Sequence, residues 1–251
     1  MRANSSSGIE VSINESRLIG GYFNIPLADG TGWRSFDELT ESVPTINEYV
    51  NRTRAAIARS QSIAIHEVEK RVAASSFQLA TIAKLISPVV GCIVLSGTLP
   101  DFSSDNLAWR PGIKHSLDLG IVSYTGLTEI RDEDIVDRIH SNLIDAALRP
   151  LSEAIHRATG LSNKVLLGNI ASSFNGAVSV LGAQFPNVTD RAFDLVREIV
   201  NHGHLRTTCT FVSTSSGRPR FVRNNCCLFY QLPRGGQCGD CILTQRAQRD
   251  S

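Results

Sequence analysis

Apolar residues recur at helical spacing over most of this chain and at strand spacing only in short stretches. The clearest run is Ile65, Val68, Val72, Ala73, Phe77, Leu79, Ile82, Leu85 and Ile86, which predicts a long amphipathic helix from about Ala64 to Ile86. Pro88 is expected to break that helix, with Val89–Leu95 forming a separate buried helix that ends at Gly97. Upstream, Ser35-Phe36-Asp37-Glu38 reads as a capping box opening a short helix, and Pro44 starts another that runs to about Arg59. Residues 1–32, rich in Gly, Ser and Asn, read as an irregular or short-stranded lead-in.

Between Pro100 and Arg131 the 3.6-residue period is lost. Leu107–Trp109 and Ile121–Tyr124 look like short strands bounded by glycine and proline. Acidic residues near Asp132–Asp134 then open a helix toward His156, with Pro150 as a break or kink. Further helices are expected over about Asn163–Gly182 and Thr189–Asn201, the latter stopped by Gly203. Thr207–Val212 is β-branched and strand-like, and Ser213–Pro219 is a polar hinge. The fold class expected is α+β, mainly α: a helical body over 1–212 with a few short strands, and a small C-terminal module over 213–251.

Composition adds little to this picture until it is divided along the chain. The 251 residues carry a net charge of +1, but residues 201–251 hold seven arginines (Arg206, Arg218, Arg220, Arg223, Arg234, Arg246, Arg249) against Asp240 and Asp250. A basic end on an acidic body points to an anionic partner there, or to a solvated basic tail. The N-terminus lacks the apolar core of a secretory signal. The longest uninterrupted apolar stretch falls short of the roughly 20 residues of a membrane span. Both features give a cytoplasmic expectation, in which cysteines stay reduced and a cluster of them points to metal.

Four of the six cysteines form such a cluster: Cys226, Cys227, Cys238 and Cys241, spaced C-C-x10-C-x2-C. Pro233–Gly236 is a turn signal that folds the second pair back toward the first. Gly239 removes a side chain inside the C-x2-C loop and frees backbone N–H groups to face sulfur. Four thiolates suit both zinc and iron–sulfur clusters. A vicinal pair reaches one small ion poorly, because successive side chains in extended chain point to opposite faces. The spacing therefore favours two bridged irons over a single zinc, without excluding zinc or a set of buried structural thiols.

The cysteine signature near the C-terminus resembles that of the FhuF-type ferric siderophore reductases. The stretches 75–112 and 165–181 are similar to that family's helical body. The resemblance implies a 2Fe–2S cluster on Cys226, Cys227, Cys238 and Cys241, and one-electron reduction of ferric, hydroxamate-type siderophores in the cytoplasm. Fe(III) is a hard cation gripped by charged oxygen donors, whereas Fe(II) binds them far more weakly, so one electron releases the metal. Arg223, Asn224, Asn225 and the Gly239 amide are candidates to tune such a cluster. No nucleotide- or flavin-binding loop is evident, so electrons are expected from a separate carrier such as a ferredoxin. Two alternatives stay open: a zinc-stabilised siderophore-binding module without reductase activity, and an iron–sulfur shuttle or redox sensor.

Substrate contacts are less legible. Trp109 and Arg110 are candidates to stack on a siderophore, against core packing for the tryptophan. Asn169 is a candidate to touch substrate, against a buried hydrogen bond. Cys92 and Cys209 read as inert core thiols, and His202 and His204 as helix-end histidines rather than ligands. Gly168, Ser172, Gly176 and Ser179 read as a close helix-packing stripe.

Overall fold

The computed structural model describes residues 5–113, 116–128, 132–214 and 217–244. The chain opens with α1 (Ser5–Leu18), where an irregular lead-in was expected. Its low average hydropathy hides a narrow buried face: Ile9, Ser12, Ile13 and Ser16, spaced three and four apart, lie against α4 (Lys70–Ser96). Serine on that face lets the helices approach closely, and Ser12 Oγ accepts a hydrogen bond from Thr98 Oγ1.

A two-residue strand β1 (Arg34–Ser35) leads into α2 (Phe36–Glu41), whose start is capped as expected by Ser35, with the bond coming from Asp37 N. Helix α3 (Val43–Gln61) follows with Pro44 in its first turn. The long central helix then departs from expectation at both ends. Ile65–Glu67 forms an isolated 3-10 turn, and α4 starts only at Lys70. Pro88 does not break it; α4 continues for 27 residues to a left-handed cap at Gly97. Interior proline costs a helix about 3 kcal/mol. The surroundings outweigh that here, because every residue from Leu85 to Val94 is buried among neighbouring elements. Unbroken, α4 is long and apolar enough to cross a membrane, as is α7 (Asn163–Gln184). The two pack against each other as the central pair of the body.

Strands β2 (Leu99–Pro100) and β5 (Gly126–Leu127) pair with each other, while β3 (Leu107–Pro111) and β4 (Leu117–Ile121) form an antiparallel hairpin extended by β1. The strand expected over Ile121–Tyr124 thus ends where it was expected to begin. At Gly120 the Trp33 ring occupies the space a side chain would need. Beyond the hairpin, α5 (Asp132–Ile139), a π-helical stretch His140–Leu148 and α6 (Arg149–Thr159) form one continuous helical run. Pro150 sits inside this run, where the π-helical stretch gives way to α6, and marks a change of helix type rather than a stop.

Ser162 caps α7, and α8 (Thr189–Val200) closes the body. Strand β6 (Cys209–Val212) appears as expected. Its partner β7 (Arg220–Arg223) does not appear in the sequence pattern, and pairs with it antiparallel from Cys209–Arg223 to Val212–Arg220. The paired strands β6 and β7 carry the cysteine segment onto the α7 face.

Candidate iron–sulfur site

Beyond Arg223 the backbone turns twice within five residues. Leu228 takes a left-handed conformation (φ 71°), unusual for a branched residue and tolerated mainly where surroundings impose it. That turn aims the Leu228 N–H at Cys226 Sγ, 3.3 Å away, and the Phe229 N–H bonds Cys227. A 3-10 turn over Phe229–Gln231 follows, closed by Leu232 N donating to Phe229 O, and then a second turn closed by Gly235 N donating to Leu232 O. Any Cβ at Gly235 would collide with the Phe229 carbonyl, so this turn requires glycine. The returning chain brings Cys238 Sγ to 3.9 Å from Cys227 Sγ, and Cys241 N bonds Cys238 O.

Cys227 and Cys241 are buried, while Cys226 and Cys238 are partly exposed. The close pair lies within hydrogen-bonding reach through a single thiol proton. Cys227 is held down to about 6, first by the hydrogen bond from Cys238, then by the Phe229 amide and the Arg223 charge. Cys238 is pushed up by the same hydrogen bond, by burial and by Asp240. Cys226 is raised chiefly by its burial, against the Leu228 amide and Arg223, which favour the thiolate.

Arg223 lies beneath these sulfurs and is 1% exposed. Its Nη2 donates to Asn169 Oδ1 at 2.5 Å, its Nε has no hydrogen-bond partner, and among the described residues no carboxylate pairs with it. A buried cation without a counter-ion is costly unless negative charge is supplied nearby. The four thiols supply it once ionised. Asn169 in turn donates to Ser75 Oγ and Gln78 Oε1, and Gln78 donates to Ser152 Oγ and Leu166 O. A buried polar chain thus runs from α6 across α4 and α7 to the sulfurs.

The residues fit a thiolate-held metal group. Two thiolates on one tetrahedral metal with bonds near 2.3 Å stand about 3.8 Å apart, close to the Cys227–Cys238 separation. Among the described residues no three Cys, His, Asp or Glu side chains close around a single ion. One close sulfur pair with two further thiols beside it suits a bridged pair of irons, whose ligand positions lie further apart.

The other residues singled out from sequence fall elsewhere. Trp109 is in the core, edge-on to Tyr49 and under Arg34. Arg110 pairs with Asp118 and stacks on Trp33. Neither lines the cavities beside the cysteines. Asn169 is fully buried in the polar chain described above. Of the expected tuning groups, Arg223 acts through its charge on Cys226 and Cys227. Asn224 turns away to Thr207 O and Thr208 O. The amides that bond sulfur come from Leu228 and Phe229 rather than Gly239. Cys92 is buried and pushed up to about 12, and Cys209, half-buried, to about 11, both by desolvation. His202 meets Asp137, and His204 meets Arg149. Arg246 and Arg249 of the basic end, with Asp250, lie outside the described residues.

The small-residue stripe on α7 does more than pack helices. Gly168 makes room for Arg223 and Asn225, Ser172 Oγ donates to Asp240 Oδ2 at 2.5 Å, and Gly176 faces open space. Gly168 and Ser172 thus seat the cysteine segment, a role that only the three-dimensional return of the chain reveals, while Gly176 touches no part of it.

Residues 223–241 match the family described as the FhuF 2Fe-2S C-terminal domain. The match spans all four cysteines and Arg223, and it makes a 2Fe–2S cluster the cofactor of this segment. No curated protein matches the chain.

Proposed function

We propose that this chain, whose C-terminal end is a 2Fe–2S domain of the FhuF type, reduces ferric siderophores of the hydroxamate class by one electron and so releases Fe(II). The reading rests above all on the four thiols of the matched segment and the buried Arg223 beside them, which among the described residues has no carboxylate partner. Cys226, Cys227, Cys238 and Cys241 would hold the cluster, which supplies one-electron transfer when bound. Arg223 holds positive charge beneath the sulfurs. Asn169 fixes the guanidinium, and Gln78 and Ser75 fix Asn169. The Leu228 and Phe229 amides donate to sulfur and favour its ionised form. The helical body keeps one side of the segment dry, while partly exposed Cys226 and Cys238 face the solvent side, where electrons enter from a separate carrier. Cytoplasmic location follows from the same reading, since the thiols must stay reduced until loaded.

The test is anaerobic. Dithionite-reduced holoprotein, freed of excess reductant, is mixed with a ferric trihydroxamate in the presence of a coloured Fe(II) chelator. Return of the oxidised-cluster absorbance in step with Fe(II) capture supports the reading. A cluster that stays reduced, or reoxidises with no Fe(II) released, makes the chain a shuttle or sensor.

A further inference from the structure

A cavity of about 680 Å³ opens directly beside the cysteine segment, within the size range of small-molecule sites. It lies between the loop after α1, the outer face of α4 and the small-residue face of α7. Its walls are Ile19, Tyr22, Phe23, Leu79 and Val180, and its far end is Phe229, two residues after Cys227. Ser172, also in its wall, bonds Asp240, the residue before Cys241. Tyr22, Val180 and Phe229 are exposed, which is unusual for three large apolar side chains around one opening.

Among the described residues the lining contains no Lys, Arg, Asp or Glu. Two neighbouring cavities differ in this respect. One, of about 410 Å³ between α3 and α4, includes Lys84 and shares Ala80 with the central cavity. The other, of about 790 Å³ on the opposite flank of α7, includes Arg218, Arg220 and Asp240 and shares Gly176.

Resting on the reductase reading above, we infer that the uncharged central cavity, rather than either of its charged neighbours, is the site that seats the ferric complex. Three hydroxamates, each carrying one negative charge, neutralise Fe(III). Three catecholates leave the complex at −3, and burying that charge against apolar walls with no cation is heavily penalised. Phe229 joins the substrate wall to the sulfur-bearing loop.

Two substitutions and a redox-inert probe test this. Gallium(III) has the charge of Fe(III) and cannot accept the electron, so its complex with an N-acetylated linear trihydroxamate reports binding to the holoprotein alone. Ala80→Phe fills the central cavity and the α3–α4 cavity; Gly176→Phe fills the central cavity and the α7-flank cavity. Both positions are exposed, and a Cβ at Gly176 meets no atom within 4 Å, so both variants are expected to fold with an unchanged cluster spectrum. Each should weaken binding at least tenfold, and the gallium tricatecholate should bind wild type at least tenfold more weakly than the trihydroxamate. Loss in only one variant assigns the site to a neighbouring cavity and overturns the inference, as does equal binding of the tricatecholate. Wild type that reduces the ferric trihydroxamate while both variants bind normally sinks the site and leaves the reductase reading standing. Wild type that neither binds nor reduces sinks both.

Discussion

Replacing Arg223 with methionine removes a buried positive charge from beneath the sulfurs while keeping most of the side-chain volume. The arginine is 1% exposed and favours the ionised form of both Cys226 and Cys227. An electron added to a thiolate-held cluster makes the site more negative, so a fixed cation favours the reduced state. At a charge separation on the order of 5–7 Å and an effective dielectric near 20, the attraction is roughly 2–3 kcal/mol. At 59 mV per tenfold change in a one-electron equilibrium, that is about 90–130 mV. Water at the partly exposed Cys226 and Cys238 screens part of it. A fall in reduction potential of about 50–100 mV is therefore expected for Arg223→Met, and a much smaller one for Arg223→Lys. The assay is a mediator-assisted redox titration followed by the EPR signal of the reduced cluster. Stability should move little: Asn169 Oδ1 loses its donor, at about 1–3 kcal/mol, while an unpaired buried charge and an unpartnered Nε are also removed. A shift below about 20 mV, or an upward one, would refute the assignment of Arg223 as the charge that sets the potential.

Gly235→Ala should abolish cluster retention with little effect on the helical body, because the new methyl would overlap the Phe229 carbonyl; iron content and far-UV circular dichroism check the two halves of that statement. His140 is buried, with Nε2 on Ile199 O, His202 stacked edge-on, and Asp137 and Asp145 near enough to act on it electrostatically. Burial lowers its pKa below the usual value near 6.5, so the unfolded chain takes up this proton more readily than the native one. Its contribution to stability is full above about pH 6.5 and is lost as pH falls toward the native pKa. His140→Gln should flatten the decline in melting temperature between pH 7 and pH 5, and an unchanged decline would assign it to other groups. If an acidic carrier docks on the basic C-terminal end, the rate of cluster reduction by a ferredoxin should fall with ionic strength, as stopped-flow mixing at low and high salt will show.

The part of the site most legible in the sequence is the part whose chemistry is local. Four cysteines within sixteen residues, with a Pro-Gly turn between the pairs, announce a metal loop before any fold is known. Helices whose apolar period is strong, such as α7 and α8, lie close to where the pattern puts them. The failures are of another kind. Pro88 carries a strong local stop signal, and only the packing of α1, α3 and α7 around α4 overrides it. Helix α1 has too little apolar surface to declare itself, because half of its buried face is serine. Strand β7 is four residues long and holds two arginines; its reason to be extended is the ladder it makes with β6. Arg223 is legible in sequence as a charge near the sulfurs, but nothing local says that Asn169, 54 positions earlier, will hold it in the core.

The most direct measurement of the central claim is the metal content of the chain purified without oxygen, wild type beside Cys227→Ser. Two irons and two acid-labile sulfides per wild-type chain are predicted, with a red-brown colour that dithionite bleaches and that the serine variant lacks. Colourless wild-type protein with one zinc per chain and no sulfide would contradict the account.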